Sequence, residues 1–507
     1  MRASLPLLCP GPATSHDAVF AWRHGVAISR AQFLDDVAAL AAALPDRAHM
    51  LNVCSDRYRF AVGLAAAIVR RQISLMPPST HAETVRQLTA SYPDIYCLTE
   101  FPQSDIDLPQ VVYEEALAMR APRFLQNAGD RAIPLVPADQ TIAYVFTSGS
   151  TGVPTPHRKR WGSLVENVRS EADRLGMLHD KQTSGDGAHA ALAIVATVPP
   201  QHMFGFESSV LLAWQSPAAM VAERPFFSAD IVASLASIPC RRMLVTTPFH
   251  LRTLLAALSV EPAHSALALP AVDLVLCATA PLSQALAREA EQRFHAPISE
   301  IYGCTETGQI ASRQPTVDAR WHLLGDVTLT IEDGEAIASN GHVEQPTSLA
   351  DVIELAPDFA SSRRFELVGR IADLINIAGK RTSLDYLNVQ LNAIEGVIDG
   401  AFFMPDDDAS EHGFARDGVT RLIAMVVAPT LDAQRLTAAL RARVDAVFLP
   451  RPIHFVDQLP RNATGKLTRA MLESFATKRG ATTGSLRSAS RNAGAPAAPD
   501  DQHAARR

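Results

Sequence analysis

The sequence predicts an α/β protein with a large first domain, a smaller α+β domain and a polar tail. The chain has 507 residues, more than the ~250–300 over which one hydrophobic core keeps growing, so at least two domains are expected. Short apolar runs alternate with helical patterns over the first part of the chain, as in sheets built from strand–helix units. This pattern changes near residue 365, and the composition changes again near residue 477.

The first domain is predicted from helix and strand patterns that lie side by side. Residues 31–44 and 59–69 carry apolar side chains at helical spacing, and 51–53 and 73–75 beside them have the character of buried strands. Further apolar runs bounded by polar or helical sequence are typical of parallel strands joined by crossovers. These runs are 142–146, 192–198, 243–246 and 272–276. We therefore assign residues 1–370 to one α/β domain.

The second domain is expected at residues 371–475, as a compact α+β unit. Its elements are a helix near 384–394, strands at 400–404 and 422–427, and a helix at 431–447. The last segment, 476–507, is rich in Ala, Ser, Gly and Arg and holds almost no large apolar residue. Such a segment buries too little surface to offset the entropy lost on ordering, so a disordered tail is predicted.

Composition and charge exclude several classes of protein. Hydrophobic residues make up 47% and charged residues 20%, as in ordinary globular proteins and unlike fibrous or disordered ones. The net charge of −7 supplies no general positive field, so nucleic acid is not an expected partner. Six scattered cysteines suggest a reducing compartment. No signal peptide or membrane span is predicted, because prolines interrupt the N-terminal apolar residues and the longest apolar run, 60–69, is too short. The expected location is cytoplasmic.

A hydroxyl-rich glycine loop directly follows the predicted strand 142–146. Its glycines allow backbone turns in which N–H groups converge, and its hydroxyls can donate to phosphate oxygens. The loop lacks the Gly-Lys-Ser/Thr of the Walker type. Taken alone, a run of this composition is more often a plain surface turn, because the same residues dominate loops. Its residues are Thr147, Ser148, Gly149, Ser150, Thr151 and Gly152.

Further motifs follow this loop in a fixed order along the chain. They are Tyr302-Gly303-Cys304-Thr305-Glu306, Gly369-Arg370-Ile371-Ala372-Asp373, Gly379-Lys380-Arg381 and Pro460-Arg461-Asn462-Ala463-Thr464-Gly465-Lys466. With the loop, their order and spacing over about residues 29–471 resemble the adenylate-forming superfamily of acyl- and aryl-CoA synthetases, peptide-synthetase adenylation domains and luciferases. The resemblance implies a large N-terminal adenylate-forming domain and a small mobile C-terminal domain.

The resemblance also implies a reaction and its cofactors. Members of this superfamily join a carboxylate to the α-phosphate of ATP with release of pyrophosphate, then pass the acyl group to a thiol with release of AMP. The implied cofactors are therefore ATP, Mg²⁺ and either coenzyme A or the phosphopantetheine of an acyl carrier protein. The implied partner is a small carboxylic acid, aromatic or fatty.

Four residues match the catalytic positions of the superfamily. Lys466 corresponds to the lysine that the small domain brings to the carboxylate and the α-phosphate, and Thr305 to the threonine that donates to that phosphate. Glu306 corresponds to the magnesium-binding glutamate, a hard oxygen ligand. His202 corresponds to a position that gates the acyl pocket. Singly, each is more often a surface or structural residue.

The nucleotide-binding positions implied by the resemblance lie in and beyond the hydroxyl loop. Tyr302 is expected on the adenine face, and Ala278 lies in a segment similar to the wall of the adenine pocket. Asp351 matches the aspartate that accepts both ribose hydroxyls, with Asp358 as a competitor. Arg370 matches the arginine that completes ribose recognition, and Arg381 a position near phosphate of coenzyme A or AMP.

Two departures from the superfamily pattern stand out. The lysine expected at residue 155 is absent, and His157, Arg158 or Lys159 could supply its charge; the other interpretation is a solvated basic run. The hinge position, commonly aspartate or lysine in the superfamily, holds Ala372. A small residue can still undergo the change in φ and ψ that a domain rotation requires. Two segments, Lys159-Arg160-Trp161 and Gly379-Lys380-Arg381, are atypical of the superfamily. They look similar to ligases of aryl-polyene and related pigment or fatty-acid pathways, which implies an aromatic acid such as a hydroxybenzoate or hydroxycinnamate.

Three alternatives remain open from the sequence. Transfer to a carrier protein alone would form no free CoA thioester. A non-catalytic nucleotide-binding or regulatory descendant would explain the missing loop lysine, although it would not need Lys466, which serves chemistry more than ground-state binding. A phosphotransferase fits least, because both the Walker lysine and a kinase-type loop are lacking.

Overall fold

A computed structural model describes most of the chain as two compact units, divided between Leu374 and Ile375. The described residues are 3–10, 15–103, 105–118, 132–147, 154–178, 192–260, 269–370, 374–377, 380–404, 422–461, 467, 471–472 and 474–475. The mixed α/β architecture agrees with the predicted fold class. The predicted boundary at 370/371 stays a prediction, and the predicted tail lies outside the described residues.

The first sheet of the first unit has six strands. All neighbouring strands are parallel except the first pair, which is antiparallel and brings Thr155 opposite Thr147. In spatial order the strands are Thr155–Arg160, Thr141–Thr147, Ile73–Met76, His49–Asn52, Ile95–Thr99 and Gln110–Val112.

The second sheet of the first unit has eleven strands. Its middle strands are parallel, and antiparallel strands extend it at both ends. In spatial order they are Asp351–Leu355, Arg364–Arg370, Trp321–Leu323, Gly308–Arg313, Ile298–Cys304, Leu274–Cys277, Arg242–Thr246, Ala193–Ala196, Ala219–Val221, Val19–Arg23 and Val26–Ser29. Smaller sheets join Ser4–Pro6 to Leu135–Pro137, and Thr328–Glu332, Glu335–Ser339 and Thr347–Ser348 to one another.

Helices cover the sheets of the first unit, and several begin at a capping side chain. Ser29, Asp56 and Ser283 each accept a hydrogen bond from the backbone N–H three residues further on, which satisfies a donor that the first turn leaves free. The helices are Arg30–Ala43, Arg57–Val69, Ala82–Ser91, Tyr113–Ala118, Trp161–Arg174, Met203–Gly205, a π-helix at Phe206–Leu211, Leu212–Gln215, Ser228–Ala236, Pro248–Val260, Gln284–Phe294 and Phe359–Ser362.

The main core of the first unit gathers large apolar side chains from these helices and sheets. Phe33, Trp161, Trp214 and Phe206 are fully buried there, and Trp161 and Trp214 lie 6.3 Å apart between ring centroids. All the helices and strands predicted for this unit occur within two residues of their predicted bounds. The apolar face of each element is buried, which explains why periodicity located them.

The second unit has its own core around the buried side chains of Leu387, Phe402, Val426 and Leu436. Its strands are Lys380–Ser383, Asp399–Phe403, Ile423–Val427 and Ile453–Phe455, together with Leu374–Ile377 at the unit boundary; its helices are Leu384–Asn392, Ala433–Arg441 and a 3-10 turn at Ala446–Phe448.

The single helix predicted at 431–447 is wrong as one element. The helix Ala433–Arg441 ends, and a separate 3-10 turn follows at Ala446–Phe448. The side chain of Asp445 accepts a hydrogen bond from the backbone N–H of Val447 and so caps that turn. A local bond of this kind competes with continuation of the helix.

Two further observations concern cysteines and membranes. All six cysteines are free, and Cys54, Cys97 and Cys277 are buried as core residues. Among the helices that the structure describes, none has the length and apolar character required to cross a bilayer.

Candidate active site

The motif Tyr302–Glu306 lies at the end of a strand and in the tight turn that follows it. Strands Ile298–Cys304 and Gly308–Arg313 run antiparallel on either side of this turn. Glycine is required because a Cβ on Gly303 would lie 2.1 Å from the carbonyl oxygen of Gly308. Gly308 itself has a φ of 77°, in the left-handed region that favours glycine. The turn therefore presents Thr305 and Glu306 at one fixed place beside the sheet.

A polar cavity of about 460 Å³ opens beside this turn, entirely within the first unit. The strand Thr155–Arg160 supplies basic side chains to its lining, and Glu207, Glu306 and Glu344 supply carboxylates. A cavity with both signs of charge suits a ligand that carries negative charge together with a cation.

His157 connects the hydroxyl loop with Glu306. Its Nε2 lies 2.9 Å from the Oγ1 of Thr147, the first residue of the loop, and 3.5 Å from the Oε1 of Glu306. Partial burial lowers the pKa of His157, while the nearby carboxylate of Glu306 opposes that shift. The entry to the hydroxyl loop and the predicted magnesium ligand therefore meet at one imidazole.

The basic run 157–160 is a strand whose side chains alternate between two sides. Arg158 and Arg160 both approach Glu344, at 3.5 and 3.4 Å. Lys159 is buried on the other side, and its Nζ donates to the carbonyl oxygen of Thr305 at 2.5 Å and to that of Glu306 at 3.3 Å. The interpretation of 157–160 as a solvated run is therefore wrong for Lys159, because a strand alternates its side chains between faces.

The predicted adenine and ribose residues meet although the strands of Tyr302 and Asp351 are not neighbours in the sheet. The hydroxyl of Tyr302 donates to Oδ2 of Asp351 at 2.7 Å. Asp351 stands directly opposite Arg370 in the antiparallel pair of strands. Asp358 lies in the exposed connection between those strands. Of the two candidate aspartates, Asp351 is the one that the structure brings to Tyr302.

His202 and Ala278 lie in connections that follow two strands of the larger sheet, Ala193–Ala196 and Leu274–Cys277. His202 immediately precedes the short helix Met203–Gly205. Ala278 is buried directly after the strand Leu274–Cys277, and Thr279 beside it has a φ of 83°. A positive φ is costly for a β-branched residue and is concentrated at ligand-binding segments.

Several predicted residues lie outside the described part of the chain. They are Ser148, Gly149, Ser150, Thr151 and Gly152 of the loop, the hinge residue Ala372, and Lys466. Arg370 and Arg381 lie on described strands, but their side chains are outside the description. The roles of these residues stay predictions.

Glu306 fits a magnesium ion bound together with phosphate. Its side chain is 38% exposed and lines the cavity. Magnesium in nucleotide sites takes one or two carboxylates and completes its octahedron with water and phosphate oxygens. Within the described ranges, no group of three or more His, Cys, Asp or Glu side chains is arranged to hold a metal. The partly exposed carboxylate of Glu306 at an open cavity agrees with an ion that arrives with its nucleotide.

A buried polar cluster beside the turn was missed by the sequence analysis. Asn167 donates to the carboxyl of Glu207 at 2.7 Å, and Gln309 donates to the hydroxyl of Ser208 at 2.7 Å. Burial raises the pKa of Glu207 to about 8, and it raises the pKa of the neighbouring Glu171 to about 7. These residues come from a helix, a π-helix and a strand far apart in sequence, so no local pattern could have indicated the cluster.

Comparison with known proteins places this site in a family. The family profile described as "AMP-binding enzyme" matches residues 13–338. The chain belongs to the AMP-binding enzyme family. It is 28% identical to a 4-coumarate–CoA ligase of Halorhodospira halophila over 360 residues, which cover 68% of this chain and 80% of that protein. It is 25% identical to an indoleacetate–CoA ligase of Aromatoleum aromaticum over 379 residues, covering 68% and 69% of the two chains.

The fold agrees with this family over almost the whole chain. The o-succinylbenzoate CoA synthetase of Bacillus subtilis, solved in complex with an acyl-adenylate intermediate, matches with a TM-score of 0.71 and 16% identity. The match covers 93% of this chain and 98% of that one. The AMP-binding family fold predicted from the motifs is therefore confirmed.

Proposed function

We propose that this enzyme is an AMP-forming acid–thiol ligase that activates a carboxylic acid as its acyl-adenylate and then forms the thioester of coenzyme A. The acid–thiol ligases among its relatives support this assignment, and the two named above carry the names of aromatic or aryl-acetic acids. We therefore infer an aromatic carboxylic acid as the substrate class. Phosphopantetheine on a carrier protein is the alternative acceptor.

The observation that carries the proposal is that His157 contacts Thr147 and lies near Glu306, with His157 and Glu306 both lining one polar cavity. The carboxylate of Glu306 can hold Mg²⁺ on the phosphates of ATP, and the hydroxyl loop that begins at Thr147 can donate to the same phosphates. The Tyr302–Asp351 pair offers an aromatic face and a carboxylate acceptor for a nucleoside.

The chemistry assigned to these residues is mainly positioning and charge stabilisation. Two anions, a carboxylate and a triphosphate, must approach each other, so fixed positive groups and hydrogen-bond donors lower the barrier. When bound, Mg²⁺ supplies positive charge that offsets the negative charge of the phosphates. Thr305 donates to the α-phosphate in the proposed arrangement, and Lys466 serves the carboxylate and that phosphate during adenylation.

The proposal is tested by ATP–pyrophosphate exchange with hydroxybenzoates, hydroxycinnamates, aryl-acetic acids and medium-chain fatty acids. Exchange that depends on an aromatic acid and falls sharply in Lys466→Ala is the expected result. Thioester formation with free coenzyme A, compared with a carrier protein, then identifies the acceptor. ATP binding without exchange for any acid would contradict the ligase and favour a non-catalytic nucleotide-binding descendant.

A further inference from the structure

The side chain of Lys159 is buried beneath the turn that carries Thr305 and Glu306. Only 6% of the residue is exposed. Its ammonium donates to the backbone carbonyl oxygens of both turn residues, at 2.5 and 3.3 Å. A buried lysine is uncommon and requires partners for its charge and its donors.

The partners of Lys159 are unusual because its hydrogen bonds go to main-chain oxygens. Burial lowers the pKa of Lys159, and the carboxyl of Glu207 is the largest opposing influence on it. Carbonyl oxygens in a tight turn often lack partners in the sheet, so an ammonium beneath them fixes the backbone. The place of Lys159 on the strand Thr155–Arg160 ties the turn to the other sheet.

We propose that Lys159 is a positioning residue, which fixes the Thr305–Glu306 turn so that the Glu306 carboxylate faces the cavity and Thr305 is held beside it. It acts through the backbone of these residues and does not contact phosphate. This inference rests on the proposed function, in which the carboxylate of Glu306 binds the Mg²⁺ that accompanies the phosphates of ATP.

The surroundings of the turn favour a rigid support. Asn167 and Glu207 pack against Gly308, where a Cβ would lie 2.4 Å from Asn167 Nδ2 and 2.8 Å from Glu207 Oε1. Within the turn, Cys304 Sγ lies 3.2 Å from Thr307 Oγ1, and that hydroxyl donates to the Gly308 carbonyl at 2.9 Å. The turn is thus bonded within itself and supported from below by Lys159.

The competing role for Lys159 is a direct ligand of the β- and γ-phosphates, in place of the missing loop lysine. The geometry disfavours it, because the carbonyl oxygens of Thr305 and Glu306 already take two of the three donors of the ammonium. His157, which already contacts Thr147 and lies near Glu306, needs no such rearrangement.

The test compares Lys159→Met, which keeps the length of the side chain but removes the charge and the donors, with Lys159→Arg, which keeps both. Arg241→Met serves as the matched control, because it removes one positive charge from an exposed pair with Asp273. Four quantities are measured in the full chain: kcat and KM for ATP in pyrophosphate exchange, the half-saturating Mg²⁺ concentration, the Kd of AMP without metal, and amide hydrogen exchange of residues 304–308.

In Lys159→Met we expect kcat to fall and the half-saturating Mg²⁺ concentration to rise, each by about 10- to 100-fold, as when a group that orients a metal ligand is removed. The Kd of AMP should rise much less, by about fivefold or less, because only the Thr305 bond to the α-phosphate depends on the turn and the nucleoside contacts are separate. Amide exchange should accelerate at residues 304–308 alone. Lys159→Arg should recover most of kcat, and Arg241→Met should match the unmodified protein.

Two results would overturn the inference. A rise in the KM for ATP at unchanged kcat and Mg²⁺ dependence would make Lys159 a direct phosphate ligand. Faster amide exchange throughout the first unit, in Lys159→Arg as well as Lys159→Met, would reduce Lys159 to a general packing role. If the unmodified protein exchanges with no acid, the proposed function fails, while AMP binding and amide exchange still decide the role of Lys159.

Discussion

Replacement of Gly308 by alanine tests how tightly the turn of the site is packed. Gly308 has a φ of 77°, and an added Cβ would approach Asn167 Nδ2 to 2.4 Å and Glu207 Oε1 to 2.8 Å. Both atoms end side chains, but they are bonded to each other at 2.7 Å and buried, so neither can move without breaking that bond. The substitution therefore has two separate costs, one in the backbone and one in packing.

The two costs can be separated with a second glycine. Gly334 has a φ of 85° in the hairpin Thr328–Ser339, and a Cβ there would meet nothing within 4 Å. The left-handed backbone costs an alanine about 1–2 kcal/mol, which is the whole loss expected for Gly334→Ala. Overpacking adds about 1–3 kcal/mol for Gly308→Ala, for a total of about 2–5 kcal/mol.

Tryptophan fluorescence during urea unfolding measures both variants. All four tryptophans, Trp22, Trp161, Trp214 and Trp321, lie in the first unit, so their signal follows the unit that contains both glycines. This matters because a chain with two units need not unfold in one step. Equal losses of unfolding free energy in the two variants would refute the close packing of Asn167 and Glu207 against Gly308.

Three further predictions concern a titration, a buried guanidinium and a nucleotide contact. Burial raises the pKa of Glu171 from 4.5 to about 7, so the folded state keeps a proton that the unfolded state loses, and the free energy of unfolding falls as the pH rises through this window. Relative to the unmodified protein, the free energy of unfolding of Glu171→Gln should therefore increase by up to about 3 kcal/mol between acidic pH and pH 8. A difference in thermal stability between the two proteins that does not change with pH would contradict this. Arg57 is fully buried and donates to the Ser209 hydroxyl and to four carbonyls. Arg57→Met should therefore lower the free energy of unfolding in urea by more than about 3 kcal/mol. A smaller loss would show that water can take the place of the guanidinium as the donor to these oxygens. Tyr302→Phe removes the bond to Asp351 and should raise the KM for ATP about fivefold; a change in kcat alone would count against a nucleotide contact.

The fold was largely predictable because periodicity reports burial. The helix Arg57–Val69 and the strand Thr141–Thr147 are buried along most of their length, so their apolar runs locate them. The strand Thr155–Arg160 was not predicted, because it is basic and lies at the edge of its sheet, where backbone pairing and not apolar burial decides the structure. The break after Arg441 depends on a single cap at Asp445, which apolar spacing does not reveal.

The site was predictable where its residues form contiguous motifs. Tyr302, Thr305 and Glu306 were assigned together, and Asp351 was preferred over Asp358 from its motif. The sequence could not choose among His157, Arg158 and Lys159, because that choice depends on which face of an unrecognised strand each occupies. Burial of Lys159 under carbonyl oxygens from a segment almost 150 residues away is a tertiary contact without a local signature.

The most direct test of acyl-adenylate formation follows oxygen from the acid to the nucleotide. The enzyme is supplied with ATP, Mg²⁺, coenzyme A and an aromatic acid whose carboxylate carries a heavy oxygen isotope, and the AMP released is examined by mass spectrometry. Attack of the carboxylate on the α-phosphate places one labelled oxygen in AMP when the thiol displaces it. Labelled AMP formed together with the thioester is the predicted result. Unlabelled AMP, or label in inorganic phosphate with ADP as the product, would contradict the account.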